Sequence, residues 1–154
     1  MGILRTEGQT GLRGENMKIL VIDGQGGQLG SQLIKAISGI FPQTDITAVG
    51  TNAVATAAMI KAGAHRGATG ENPIVVACRS ADVIIGPVGI VVADSLLGEV
   101  TPKMAVAVGQ SSAVRILIPV NKCDNLIAGV QTLSVSSLIE DAVSKLKVII
   151  ERRA

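Results

Sequence analysis

The stretch MKILVIDGQGGQLGSQL, residues 17–33, constrains the fold more than any other part of this chain. Residues 19–22 are apolar without interruption, where a strand with one wet face would alternate. Such a run reads as a strand covered on both faces, the mark of a parallel sheet. An aspartate and four glycines follow (Asp23, Gly24, Gly26, Gly27, Gly30), and then Leu29, Leu33, Ile37, Ile40 and Phe41 recur at helical spacing. The chain therefore passes from a buried strand through a glycine turn into an amphipathic helix.

The same alternation continues. Residues 45–49 read as a second strand, and residues 53–62 as a helix with Thr51 or Asn52 as N-cap and Gly63 as its stop. A short strand is expected around residues 65–68. Asn72-Pro73 reads as cap plus N1 proline of a short helix. ADVIIGP predicts a strand ending at Gly86, and Thr101-Pro102 opens the next helix. Residues 114–119 predict a strand, residues 127–131 another, and Ser134 begins a last helix whose stripe is Leu138, Ile139, Ala142, Leu146 and Ile149. Strands alternating with helices predict an α/β fold: an open, mostly parallel, doubly wound (Rossmann-like) sheet with helices on both faces. It would form a single domain over residues 17–154, preceded by a disordered extension, residues 1–16, whose glycines and scattered charges show no apolar period. On this reading Met17 is the physiological start.

Composition narrows the function. A 154-residue chain that is 47% hydrophobic is globular, able to bury roughly 70% of its unfolded surface. A net charge of +2 with no basic stripe gives no footprint for nucleic acid or a membrane surface. A single aromatic residue, Phe41, provides no stacking platform for bases. Cys78 and Cys123 lack CxxC spacing and fit a reducing cytoplasm. The longest apolar run, residues 83–97, is broken by Gly86, Pro87, Gly89 and Asp94, too interrupted to span a bilayer. Its near lack of charge, shared by residues 105–114, leaves surplus apolar surface, from which a homodimer or larger homo-oligomer is expected.

The glycine loop is the candidate binding site. Gly24, Gly27 and Gly30 spell G-x-x-G-x-x-G, a looser relative of the dinucleotide fingerprint: one glycine for the turn, a middle one for ligand approach, a last one for helix–strand packing. The helix behind would offer N–H groups and a positive dipole end to a phosphate. No lysine follows, which excludes a Walker A loop. The second strand ends in Thr51 and Asn52 rather than in an acid for a ribose, so NAD and NADP signatures are both missing, and helix capping accounts for these two residues without a ligand. Asp23 either caps the loop's own N–H groups or, with Glu71, holds a metal such as Mg²⁺. The lone histidine, His65, reads as a surface residue, and Cys123 as an inert thiol despite neighbouring Lys122.

The blocks MKILVIDGQGGQLGSQLI, GTNAVATAAMIKAGAHRGATGEN, IIGPVGIVVADSLLGEVTP and ILIPVN resemble a family of small bacterial proteins catalogued as a domain of unknown function. That resemblance implies a Rossmann-like domain and no established activity. A fainter likeness, carried by residues 81–121, is to the 2-phospho-lactate transferase and gluconeogenesis-factor group. It implies a nucleotide or phosphorylated ligand near Gly86, Pro87, Gly89 and Asn121, although Val88 interrupts the Gly-Pro-Gly that the group shows. The candidate ligand set is thus Gly24, Gln25, Gly26, Gly27, Gly30, Thr51, Asn52, Gly86, Pro87, Gly89 and Asn121, for a nucleotide, dinucleotide or other small phosphorylated molecule. Two alternatives stand beside it: an Mg-dependent phosphoryl-transfer or hydrolytic enzyme, and an assembly module that binds no ligand.

Overall fold

A computed structural model describes residues 17–120 and 125–153. Five strands, β1 (Lys18–Asp23), β2 (Asp45–Gly50), β3 (Arg66–Thr69), β4 (Val83–Pro87) and β5 (Val114–Ile118), form one sheet in the order β3-β2-β1-β4-β5. Every neighbouring pair is parallel. Register runs Lys18 against Asp45 through Asp23 against Gly50 on one side of β1, and Ile19 against Val83 on the other. The expected Rossmann-like α/β fold is what the chain adopts.

The helices are α1 (Gln28–Ile40), α2 (Ala53–Lys61), α3 (Glu71–Cys78), α4 (Pro102–Gln110) and α5 (Val135–Arg152). Side chains of β1 alternate between two cores, as the two-residue strand period demands. Ile19 and Val21 join Leu33, Ile34 and Ile37 of α1, Met59 of α2, and Ile139, Leu146 and Ile150 of α5. Leu20 and Ile22 join Ile74 of α3 and Met104 and Val108 of α4 on the opposite face. That double coverage is why residues 19–22 carry no polar side chain. The chain crosses from one face to the other between β3 and β4, because a right-handed crossover in the reverse direction along the sheet needs a helix on the other side.

Three sequence expectations change. Residues 127–131 form no strand but a turn with Val130 N–H donating to Ile127 C=O, beside the exposed Leu126. Apolar residues alone did not make a strand there, since β5 pairs only with β4. Asn72 and Pro73 lie inside α3 rather than opening it, because the helix starts at Glu71 behind Gly70, whose φ is 103°. Ile40, expected on the core face of α1, is exposed, and Ile34 is buried instead. The apolar stretch after β4 largely finds its partners within the chain: Ile90, Leu96, Val100, Met104, Ala105 and Val108 are all buried. Residues 1–16 lie outside the described part of the chain, and with them the expected extension. No described helix is long and apolar enough to cross a membrane.

Candidate functional site

β2 lies on one side of β1 and β4 on the other, so the chain's direction of winding reverses between β1 and β4. In open parallel sheets the loops after two such strands diverge, and the C-terminal edge at that point is the usual place for a crevice. Four stretches meet around it: the glycine loop, Thr51 and Asn52 after β2, a 3-10 turn (Val88–Val91) after β4, and residues 94–101 leading into α4.

Asp23, at the last position of β1, is buried and caps the glycine loop from beneath. Its Oδ1 accepts the Gly24 N–H at 2.8 Å and its Oδ2 the Gly30 N–H at 2.8 Å. The carboxyl is raised above its usual range chiefly by burial; the two backbone donors pull it back, and the neighbouring Glu99 charge raises it further. Of the two sequence readings of Asp23, capping is the one whose contacts are visible. Glu71 is engaged elsewhere: its Oε2 accepts the Thr101 hydroxyl at 2.6 Å, joining the first turn of α3 to the cap of α4. No contact links Asp23 to Glu71, and no group of three or more metal-ligating side chains occurs among the described residues.

The glycines divide by what faces them. A Cβ on Gly27, where φ is 71°, would lie 2.7 Å from Ala55 Cα, so this glycine lets α2 approach the loop. The middle glycine therefore has a packing role, whatever else approaches its backbone. On Gly30 a Cβ would lie 2.5 Å from the Met59 sulfur and 3.0 Å from Asp23 Cβ, as expected of the packing glycine. On Gly24 it would press on Thr51 Oγ1 and Leu96. Gly26 alone of the four faces open space, its nearest neighbour being Gln28 Cγ at 4.0 Å. Gly86 makes room for the Ile22 carbonyl, and Gly89 for Ser95, whose hydroxyl donates to the Gly89 carbonyl. Pro87 is buried at the end of β4. Asn121, with Lys122, Cys123 and Asp124, lies outside the described residues.

Glu99 is the residue that sequence reasoning missed. Its Oε1 accepts three hydrogen bonds at once: from the Gln25 N–H at 3.0 Å, the Thr51 hydroxyl at 2.8 Å and Asn52 Nδ2 at 2.5 Å. Partial burial pushes the carboxyl up, but the bonds from Asn52, Gln25 and Thr51 outweigh it and hold it below its usual range. Asn52 also caps α2 through Oδ1, which accepts the Ala55 N–H at 2.9 Å, and its Nδ2 donates to the Gln25 carbonyl at 3.0 Å. Capping and anion contact are thus made by opposite ends of one amide. Three of the expected ligand residues converge on an anionic oxygen that the chain itself supplies.

Glu99 arrives on a strained segment. Asp94, Leu96 and Leu97 have φ of 64°, 53° and 57°, followed by Gly98 at 85°. Each non-glycine residue in that left-handed region costs about 1 kcal/mol. The segment is closed by the Asp94 N–H donating to the Val100 carbonyl at 2.7 Å, and Ser95, Leu96 and Val100 are buried beneath it. Leu97, at its tip, is 95% exposed. Away from the crevice, His65 is exposed, and its Nδ1 accepts the Ile46 N–H at 3.1 Å, extending the β2–β3 pairing.

Among protein families, the one described as Domain of unknown function (DUF3842) matches the chain over residues 18–151. No curated protein and no solved structure matches, so the fainter likeness to the transferase group gains no support.

Proposed function

The chain belongs to that domain family, whose description assigns no activity, and from the crevice itself we propose that it binds a small phosphorylated molecule, a nucleotide or dinucleotide being the best fit in class. One observation carries this reading: the Gln25 N–H, the Thr51 hydroxyl and the Asn52 amide all point at one anionic oxygen at the switch point of a parallel sheet. Neutral donors fixed by loop and cap geometry hold an anion without the reorganisation that flexible lysines would require. The rim adds to this. Among the described residues, the N–H groups of Gly26, Gln28 and Leu29 at the start of α1 have no hydrogen-bond partner, and Gly26 leaves the approach to them open. A phosphoryl group there meets the positive end of a 13-residue helix.

The contacts of Asp23 and Glu71 supply no metal cage, so the reading is one of binding rather than of metal-assisted transfer. A thermal-shift screen tests it with nucleoside mono- and diphosphates, dinucleotides, sugar phosphates and inorganic pyrophosphate, each with and without Mg²⁺. A ligand at one hundred times its Kd adds about 2.7 kcal/mol to stability. Indifference to the whole panel would refute the reading, and a shift seen only with Mg²⁺ would restore the metal.

A further inference from the structure

We propose that residues 94–100 are a strap that occupies the crevice in the empty protein and is displaced by the incoming anion, Glu99 yielding its three donors to the ligand. The inference rests on the binding reading above and adds a gate to it.

Three independent features point the same way. First, a carboxylate at the glycine loop makes the contacts that an acidic ligand oxygen would make: one backbone N–H, one hydroxyl and one amide, all on Oε1. Second, the segment bearing Glu99 is in a conformation that its own sequence disfavours, with Asp94, Leu96 and Leu97 at positive φ. Contacts at its ends and at Glu99 offset that strain; removing the Glu99 contacts frees the strain at Leu97, while Asp94 and Leu96 stay anchored. Third, anchoring is uneven. Ser95, Leu96 and Val100 are buried, whereas Leu97 and Gly98 are exposed beside Glu99. Movement of residues 97–99 would break the bonds from the Gly98 N–H to the Asp94 and Ser95 carbonyls and from the Glu99 N–H to the Leu96 carbonyl, and would open the seat without disturbing the sheet.

A closed strap lowers apparent affinity by the fraction of molecules that are open. Glu99 also brings a negative charge near Asp23 that an anionic ligand would have to face. Glu99→Ala should therefore bind inorganic pyrophosphate more tightly than the wild type by at least about tenfold in calorimetry. A second variant acts on the strap without touching the seat. Leu97→Asn relaxes a left-handed position, since asparagine tolerates that region, and should weaken pyrophosphate binding by about threefold by favouring the closed form. Hydrogen exchange supplies a readout free of ligand: amides of residues 97–99 should exchange faster in Glu99→Ala, while β1 and β4 keep wild-type protection.

Equal affinity of the wild type and Glu99→Ala would overturn the strap and leave the anion site standing. Weaker binding by Glu99→Ala would also overturn it, because Glu99 would then order the three donors for the anion instead of occupying their place. No pyrophosphate binding by either protein would overturn the strap and the binding reading together. Unchanged exchange over residues 97–99 in Glu99→Ala would show that Glu99 does not hold the segment down.

Discussion

Asp23→Asn decides between the two uses to which a buried acid in this position can be put. The substitution keeps shape and volume but leaves one acceptor where the carboxylate has two. Either the Gly24 or the Gly30 N–H, each now 2.8 Å from a carboxylate oxygen, then faces an amide NH₂. Orphaning a buried N–H costs about 1–3 kcal/mol, and the surviving bond loses its charge assistance. Relief from burying a charge opposes this, because burial is what raises the Asp23 carboxyl. The balance is a destabilisation of about 2 kcal/mol, or about 8 °C in Tm for a domain of this size. Urea unfolding at neutral pH, read as a change in midpoint at constant slope, measures it. The pH dependence has a definite sign. With its folded pKa above the ordinary 3.8, Asp23 takes up a proton on the folded chain first. Its contribution to wild-type stability therefore rises as pH falls through the raised pKa towards 3.8. The gap between wild type and variant should widen over that window. Glu99, held below its ordinary 4.5, stabilises fully above that value and less as pH falls through its folded pKa. It is present in both proteins and largely cancels from the difference. An Asp23→Asn variant as stable as the wild type, or more so, would refute the capping argument: the carboxylate would then be an uncompensated buried charge, as expected of one kept for a cation.

Three further outcomes follow from the same geometry. Gly27→Ala should destabilise by about 3 kcal/mol or more, because its Cβ meets the α2 backbone at a left-handed φ, whereas Gly26→Ala should stay within about 1 kcal/mol; paired urea titrations compare them, and equal costs would refute the division of roles. Thr101→Val removes the side chain that caps α4 by accepting the Met104 N–H and that donates to Glu71, and should cost about 1–2 kcal/mol in a thermal melt. Burial pushes the Cys78 thiol up to about 11, so only about one molecule in a thousand carries the thiolate at pH 8. Peptide mapping after iodoacetamide treatment should find Cys78 unmodified in the native protein and alkylated in urea.

What the sequence reveals and what it hides separate along physical lines. Period and punctuation act locally, so the apolar run of β1, the Thr101-Pro102 cap and the Ser134 cap of α5 are legible from neighbours in the chain. The face that each helix covers follows from the right-handed crossover rule, whereas the order β3-β2-β1-β4-β5 depends on long-range pairing that periodicity does not carry. The roles of the glycines are not local. Gly27 and Gly30 owe their identity to Ala55 and Met59, residues of a different helix, and a motif spacing cannot tell a missing side chain that admits a ligand from one that admits a helix. Residues 127–131 mislead for a related reason: strand propensity has meaning only where a partner strand offers a ladder.

Glu99 is hidden for the strongest form of this reason. Nothing in GEVTP marks an acid that reaches the loop 74 positions earlier; its role exists only once β4 has brought residues 94–100 across the crevice from β1. The strand-end residues Thr51 and Asn52 were legible as caps, and Asn52 is one, yet the same amide and the Thr51 hydroxyl also hold the anionic oxygen. A polar side chain at a loop has several hydrogen-bonding groups, so accounting for one of them does not exhaust the residue. For this fold the telling observation is therefore the second partner of a residue already explained. Here that second partner is a carboxylate carried on a strained segment at the switch point of the parallel sheet.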